Sequence, residues 1–156
     1  MGVLKSNNMT KEKIKEFFAS KQIAVVGVSE NKIKFGGSLY RELSKAGYNM
    51  VPVNPHLQEF EGKKCYASVS DLPAETDAVI IVTKPTQTME IVKEAERKGI
   101  KQIWLQQGSE DNDIIEYVKG KDMNVIYKKC AIMFGNPKGF HGFHGFLMKL
   151  FGKFPK

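Results

Sequence analysis

The chain has 156 residues, which favours one domain with a substantial hydrophobic core, and its composition is ordinary for a soluble globular protein. Its two cysteines exclude a disulfide framework and predict a reducing, cytoplasmic location. No apolar run approaches the roughly 18 residues of a membrane-spanning helix, and no signal peptide is expected. The net charge of +7 would attract polyanions, but Lys128 to Lys156 contains six lysines and no acidic residue, so the rest of the chain is close to neutral.

The first predicted elements are a helix and a strand followed by a glycine-containing loop. Residues 1–8 are predicted to be disordered, and Thr10 to cap a helix over residues 11–20. The β-branched run 23–26 predicts a buried strand that ends at Gly27. A polar loop then reaches the pair Gly36-Gly37, and residues 38–47 read as a helix. Strand, glycine loop and helix together are typical of nucleotide-binding α/β folds, although a structural turn without a ligand is the alternative.

The remaining elements alternate between short apolar strands and helices. Strands are predicted at 50–53, near Cys65-Tyr66, and at 78–82, 101–105 and 124–127. Thr86 is predicted to cap the helix that ends near Gly99, and Ser109 to cap the helix that ends near Gly120. This alternation predicts an α/β, Rossmann-like, doubly wound and mostly parallel sheet with helices on both faces. We expect the strand order 3-2-1-4-5, with the sixth strand at an edge.

In such sheets, ligands bind outside the carboxyl ends of the strands. That rule selects the polar, glycine or proline residues that directly follow apolar strands. They are Gly27, Val28 and Ser29 after the first strand, Asn54 and Pro55 after the second, Thr83, Lys84 and Pro85 after the fourth, and Gln106, Gln107 and Gly108 after the fifth.

The glycine loop does not match the usual dinucleotide pattern. Ser29 stands where G-x-G-x-x-G has its second glycine, and no G-K-S/T follows, so a nucleoside-triphosphate loop is excluded. An NAD-binding domain would place an acidic residue after the second strand, where this chain has Asn54. Lys32 and Lys34 instead offer charges to phosphates. The pattern favours a phosphorylated nucleotide bound differently from NAD, with an NAD(H)-sensing module as an alternative.

Five motifs in order, VVGVS, VNP, GKKCY, VTKP and WLQQG, resemble the small CoA-binding-domain proteins. That family is similar to the CoA-binding Rossmann domain of the succinyl-CoA synthetase α subunit. The resemblance runs from about Ile23 to Cys130. It implies a CoA-binding domain over residues 1–130, with residues 131–156 as a basic, aromatic extension that is not an independent domain.

The resemblance also implies a role for each strand end. Ser29, Phe35 and Gly36 would lie beside the diphosphate of CoA, and Lys34 would contact a phosphate. Asn54 and Pro55 would border the adenosine, Thr83, Lys84 and Pro85 would line the pantetheine path, and Gln106, Gln107 and Gly108 would lie near the far wall. The chain departs from the family pattern at Lys84-Pro85, where Pro-Pro or Arg-Pro is common, and at Lys128-Lys129, where Asp-Arg is common.

No self-contained catalytic constellation is visible among the strand ends. Cys130 reads as a buried apolar residue rather than a nucleophile, and His56 as a surface histidine. The expected function is therefore non-catalytic binding of coenzyme A or an acyl-CoA as a small-molecule nucleotide ligand. The alternative is a subunit of an acyl-CoA-handling enzyme of the ligase type, whose catalytic parts lie on another chain.

The extension 131–156 repeats Gly-Phe-His twice and then continues with mixed phenylalanine, leucine and lysine residues. His141 and His144 are spaced for one helix face, but no third ligand accompanies them, so no metal site is predicted. A basic amphipathic helix on an anionic membrane is one hypothesis. The favoured one is a helix docked on the sheet or on a second copy, which would make a homodimer. Nucleic-acid binding is not expected, because no recognised motif is present.

Overall fold

The computed structural model describes residues 3–135, and for residues 3–9 only the backbone. The helices are α1 Val3–Phe18, α2 Phe35–Lys45, α3 Pro85–Lys98, α4 Asn112–Val118 and α5 Ala131–Gly135, with a 3-10 turn at Val69–Asp71. The strands are β1 Ile23–Val26, β2 Met50–Val53, β3 Glu59–Phe60, β4 Lys63–Lys64, β5 Ala78–Ile81, β6 Gln102–Gln106 and β7 Asn124–Lys129. Within these residues, no helix combines the length and apolarity needed to cross a bilayer.

Five strands form one parallel sheet in the order β2-β1-β5-β6-β7. The predicted Rossmann-like α/β class is confirmed. The first strand lies inside the sheet, paired with β2 and β5, but β5 rather than β1 is the central strand. The predicted strand near Cys65-Tyr66 is reduced to a single parallel bridge between Tyr66 and Val53. Instead, the preceding residues form the small antiparallel hairpin of β3 and β4.

Each face of the sheet is covered by its own apolar cluster. On one face, Leu39 and Leu43 of α2 are fully buried together with Trp104 of β6 and residues of α1 and α5. On the other face, Val92 and Ala95 of α3 pack with residues of α4 and the 3-10 turn. Because both faces are covered, all residues of β1, β2 and β5 are buried, which explains their continuous apolar sequences.

Two helices begin earlier than predicted. α1 begins at Val3 rather than after Thr10, since no glycine or proline interrupts the chain there. α2 begins at Phe35, so Gly36 and Gly37 belong to its first turn and not to the preceding loop. Glycine is unfavourable inside helices, and a sequence-based reading therefore assigns the pair to a loop. Ala46 is the exposed C-cap of α2.

Both predicted N-caps of the later helices are wrong. α3 begins at Pro85, with Lys84 as its N-cap, because proline is well suited to a first helical position. Asp111 rather than Ser109 caps α4, and its carboxylate accepts a hydrogen bond from the Ile114 N–H at 2.9 Å. Asp111, three residues before the first apolar residue of the helix, was the better N-cap candidate in the sequence.

The short helix α5 packs into the core rather than projecting from it. Ala131 and Ile132 are fully buried, and a Cβ at Gly135 would come within 2.5 Å of Leu43. The predicted division of the chain at residue 130 stays a prediction. The hypotheses for His141, His144 and the membrane or dimer contact of the extension concern residues outside the described part of the chain.

Candidate functional site

A cavity of about 950 Å³ opens at the carboxyl ends of β2, β1, β5 and β6. Every residue that the sequence predicted for the site lines it: Gly27, Val28, Ser29, Lys34, Phe35, Gly36, Asn54, Pro55, Thr83, Lys84, Pro85, Gln106, Gln107 and Gly108. The structure therefore brings the predicted residues together, while their roles in binding stay a prediction. The volume lies near the upper end of the roughly 300–1,000 Å³ typical of ligand sites, which suits a large nucleotide better than a small metabolite.

Two glycines allow the backbone to form the floor of the cavity. Gly27 has φ of +107°, and its N–H donates to the Val53 carbonyl at 3.1 Å. A Cβ at Gly27 would overlap the Val82 carbonyl oxygen, and one at Gly36 would overlap the carbonyl oxygen of Gly27. The start of α2 thus lies directly against the turn that follows β1. A side chain at Gly36 would separate these two segments, and one at Gly27 would separate the turn from the end of β5.

The loop between Gly27 and α2 is ordered by its own side chains. The Ser29 hydroxyl accepts a hydrogen bond from the Asn31 N–H at 3.1 Å, and the Asn31 side-chain oxygen accepts one from the Ile33 N–H at 3.0 Å. Ile33 is 76% exposed at the rim of the cavity. The loop therefore holds an apolar side chain and the exposed Lys34 at the entrance.

The start of α2 is suited to an anion. No side-chain oxygen caps it, and its N-cap residue is the exposed Lys34. The helix dipole places partial positive charge at this end, which lysine at the N-cap reinforces rather than neutralises. A phosphate in the cavity would meet backbone N–H groups and an ammonium group at the same place.

The end of β2 is tied to the glycine loop by Asn54. Its side-chain nitrogen donates to the Val28 carbonyl at 2.7 Å, and its side-chain oxygen accepts from the His56 N–H at 2.7 Å. Asn54 therefore positions two walls of the cavity relative to each other. Neither of the next two residues, Pro55 and His56, supplies the carboxylate that would hold an NAD ribose.

The end of β5 presents a different surface, although it also leads into a helix. Lys84 is the N-cap of α3, and Pro85 at the first helical position has no N–H. The Gln87 and Thr88 N–H groups both donate to the Lys84 carbonyl, at 2.9 and 3.1 Å. Most backbone donors of this first turn are therefore missing or already bonded.

Buried polar groups define the far wall after β6. Gln106 is 1% exposed, and its side-chain oxygen accepts from the Ala131 N–H at 3.0 Å, which joins the wall to α5. The Ser109 hydroxyl donates to the Gln106 carbonyl at 2.6 Å, a role that replaces its predicted helix cap. Burial raises the pKa of the neighbouring Glu110 carboxyl, and hydrogen bonds from the Glu110 and Gly108 backbone partly oppose that rise.

The cysteines lie behind the cavity rather than in its lining. Cys65 and Cys130 are free and buried, and burial raises the pKa of both thiols, which favours their neutral form. The prediction that Cys130 is a buried apolar residue agrees with its 2% exposure. In the described part of the chain, no group of three or more histidine, cysteine or acidic side chains could hold a metal ion.

Sequence reasoning missed one wall of the cavity, which comes from α3 and the segment before the 3-10 turn. The additional lining residues include His56, Ala67, Ser68, Val69, Gln87, Glu90, Ile91 and Glu94. The spacing of Gln87, Ile91 and Glu94 places them on one helix stripe. That stripe could have been found from its periodicity, but its polar residues read as a solvent-facing surface.

Known proteins resemble this chain in sequence and in fold. A family model described as "CoA binding domain" matches residues 21–136. The uncharacterized protein YneT of Bacillus subtilis strain 168 is 30% identical over 124 residues, which cover 79% of this chain and 92% of YneT. A hypothetical protein from Pyrococcus horikoshii OT3 has a similar structure, with a TM-score of 0.73, 31% identity, and coverage of 82% of this chain and 91% of that one.

A larger relative is an enzyme subunit. The ADP-forming acetate–CoA ligase II subunit alpha of Pyrococcus furiosus is 29% identical over 126 residues. The match covers 74% of this chain but only 28% of the ligase subunit. The chain thus corresponds to a little over a quarter of that subunit.

Proposed function

Because the chain belongs to the family of CoA binding domains, we propose that it binds coenzyme A or an acyl-CoA in the cavity at the strand ends, without catalysing a reaction alone. The observation that carries the proposal is that one cavity gathers the segments selected by the strand-end rule. Four of the five motifs of the family resemblance, VVGVS, VNP, VTKP and WLQQG, contribute residues to its lining.

The chemistry of the cavity supports a ligand with a phosphorylated end and a neutral end. On the β1 side, the start of α2 and Lys34 offer donors and positive charge to a diphosphate. On the β5 side, Pro85 and the bonded amides of α3 leave few donors for a phosphate. CoA combines a nucleotide diphosphate with an uncharged pantetheine arm, so its two halves match the two sides.

The direct test is calorimetric titration of the purified full-length chain with CoA, acetyl-CoA, NADH and ATP. We expect saturable binding of CoA or acetyl-CoA and weaker binding of NADH and ATP. Ser29→Trp should abolish the CoA signal, because the indole would occupy the cavity lined by Ser29. Lys45→Trp is the matched control, since Lys45 is exposed at the opposite end of α2. Binding of NADH without binding of CoA would overturn the proposal.

A second candidate function rests on the similarity to the acetate–CoA ligase subunit. In this alternative, the chain supplies the CoA site of an acyl-CoA ligase whose catalytic parts lie on a separate chain. Both functions predict no ADP release from ATP, CoA and acetate by the chain alone, so the test is ADP release after addition of an acyl-CoA ligase subunit that lacks a CoA-binding domain. CoA binding without ADP release in the mixture supports the binding role, whereas release that needs both chains and is abolished by Ser29→Trp supports the ligase-subunit alternative.

A further inference from the structure

Two threonines lie at the point where β5 leads into α3. Thr83 lines the cavity, while Thr88 is fully buried beneath it on the first turns of α3. Their hydroxyl oxygens are 2.8 Å apart. The Thr88 hydroxyl also lies 3.0 Å from the Lys84 carbonyl oxygen. Thr88 therefore has no direct access to a ligand, but it contacts a side chain that does.

The number of hydrogens on the two hydroxyl groups determines which threonine donates the hydrogen bond between them. Each threonine hydroxyl has one hydrogen and two lone pairs. A buried helical threonine commonly donates to the carbonyl four residues earlier, and Thr88 has that contact with Lys84. The hydrogen between the two hydroxyls then comes from Thr83, which donates to Thr88. Thr83 consequently presents only an acceptor to the cavity.

On the basis of the function proposed above, we propose that Thr83 accepts a hydrogen bond from an amide N–H of the pantetheine arm, and that Thr88 is the positioning residue that orients its hydroxyl. The arm of CoA carries two amide N–H groups. A phosphate chain in the same place would bring its acceptor oxygens against the Thr83 hydroxyl oxygen, also an acceptor, which is unfavourable. This end of the cavity thus selects a neutral, amide-bearing arm over an extended polyphosphate such as that of ATP.

The surrounding backbone reinforces the same selection. Pro85 has no N–H, and the Gln87 and Thr88 amides are bonded to the Lys84 carbonyl. Lys84 is exposed, and the half-buried Thr83 and Pro85 line the cavity on either side of it. The proline and the bonded amides therefore leave few backbone donors at this part of the cavity.

The test compares two probes that share the nucleotide but differ in the arm: CoA and adenosine 3′,5′-bisphosphate. Thr83→Val should weaken CoA binding by about three- to tenfold, the value of one hydrogen bond, and leave bisphosphate binding within about twofold. Thr83→Ser keeps the hydroxyl and should bind CoA like the wild type. Thr88→Val should weaken CoA binding less than Thr83→Val, and Thr88→Ser should restore it. Each valine is nearly isosteric with threonine, and thermal melts verify that the variants are folded.

The double variant Thr83→Val/Thr88→Val tests whether Thr88 acts through Thr83. We expect it to bind CoA as Thr83→Val does, because removal of Thr83 leaves Thr88 nothing to orient. Additive losses, or equal losses for both probes, would overturn the positioning role and the amide contact. If the wild type binds CoA and Thr83→Val binds it equally well, only the amide contact fails. If the wild type does not bind CoA at all, the proposed function fails as well.

Discussion

The starts of α2 and α3 form two sides of one cavity and differ in what they offer to a ligand. Each helix follows the carboxyl end of a parallel strand, and each has an exposed lysine as its N-cap without a side-chain cap. The first turn of α2 contains Gly36 and Gly37, whereas that of α3 contains Pro85 and the buried Thr88. The same strand-to-helix architecture thus becomes a site for an anion or for a neutral group, according to its first few residues.

The two N-cap lysines show that stability is sacrificed on both sides of the cavity. Serine, threonine, aspartate and asparagine are favoured at this position, and a positive charge there opposes the helix dipole. Lys34 and Lys84 both break this rule, and both line the cavity. Local rules that fail together at one place indicate a functional requirement rather than a structural one.

The largest expected effect comes from Gly36→Ala, at the second residue of α2. Its Cβ would overlap the Gly27 carbonyl oxygen, so we expect the free energy of unfolding to fall by about 1–3 kcal/mol. We also expect CoA affinity to fall by about tenfold or more, because the turn after β1 must move. Chemical denaturation and calorimetric titration measure the two effects. The matched control is Thr86→Ala, at the exposed second residue of α3, which should change stability by less than about 0.5 kcal/mol.

A comparison of Lys34→Ser with Lys84→Ser separates stability from binding. Both variants introduce a favourable N-cap, so we expect each to raise the free energy of unfolding by about 1 kcal/mol. Lys34→Ser should also weaken CoA binding by about fivefold at low ionic strength, and added salt should reduce the difference. Lys84→Ser should weaken it less. Equal losses from the two variants would contradict the division of the cavity into an anionic and a neutral side.

A smaller effect is expected from Glu110→Gln, behind the turn that contains Gly108. Burial raises the pKa of the Glu110 carboxyl, so the folded state binds more protons than the unfolded chain between the ordinary and the raised pKa. Stability should therefore fall as the pH rises through that interval, and the glutamine variant should flatten this dependence. Urea denaturation from about pH 4 to pH 7 measures it, as the ordinary glutamate pKa is about 4.3. Identical slopes for the two proteins would contradict the effect of burial.

The smallest effect is expected from Pro85→Ala, which adds one N–H to the start of α3. The loss of proline rigidity should lower the free energy of unfolding by about 0.4–1 kcal/mol. CoA affinity should stay within about twofold, because the added N–H leaves the Thr83 hydroxyl oxygen free to accept its hydrogen bond from the ligand. Titration with inorganic phosphate provides the counter-test. A clear gain in phosphate affinity would mean that Pro85 alone distinguishes α3 from α2.

The fold was predictable from the sequence because its strands are buried on both faces. The continuous apolar runs at β1, β2 and β5 and the breakers that follow them were sufficient to predict the parallel sheet and the place of β1 between β2 and β5. Helix starts were less predictable. Gly36 lies in a helix that packs against Gly27, a tertiary contact. Ser109 does not cap a helix, because its hydroxyl donates to the nearby Gln106 carbonyl.

The sequence by itself determined which segments meet at the cavity, because the carboxyl ends of parallel strands lie at one edge of a sheet. It did not reveal the wall from α3, where Gln87 and Glu94 read as solvent-facing residues. Only the tertiary structure decided how the polar groups are used. Asn54 is committed to Val28 and His56, and Thr83 is paired with a buried Thr88. The physical reason is that hydrogen-bond direction depends on which partners are within reach, and those partners are brought together by packing rather than by local sequence.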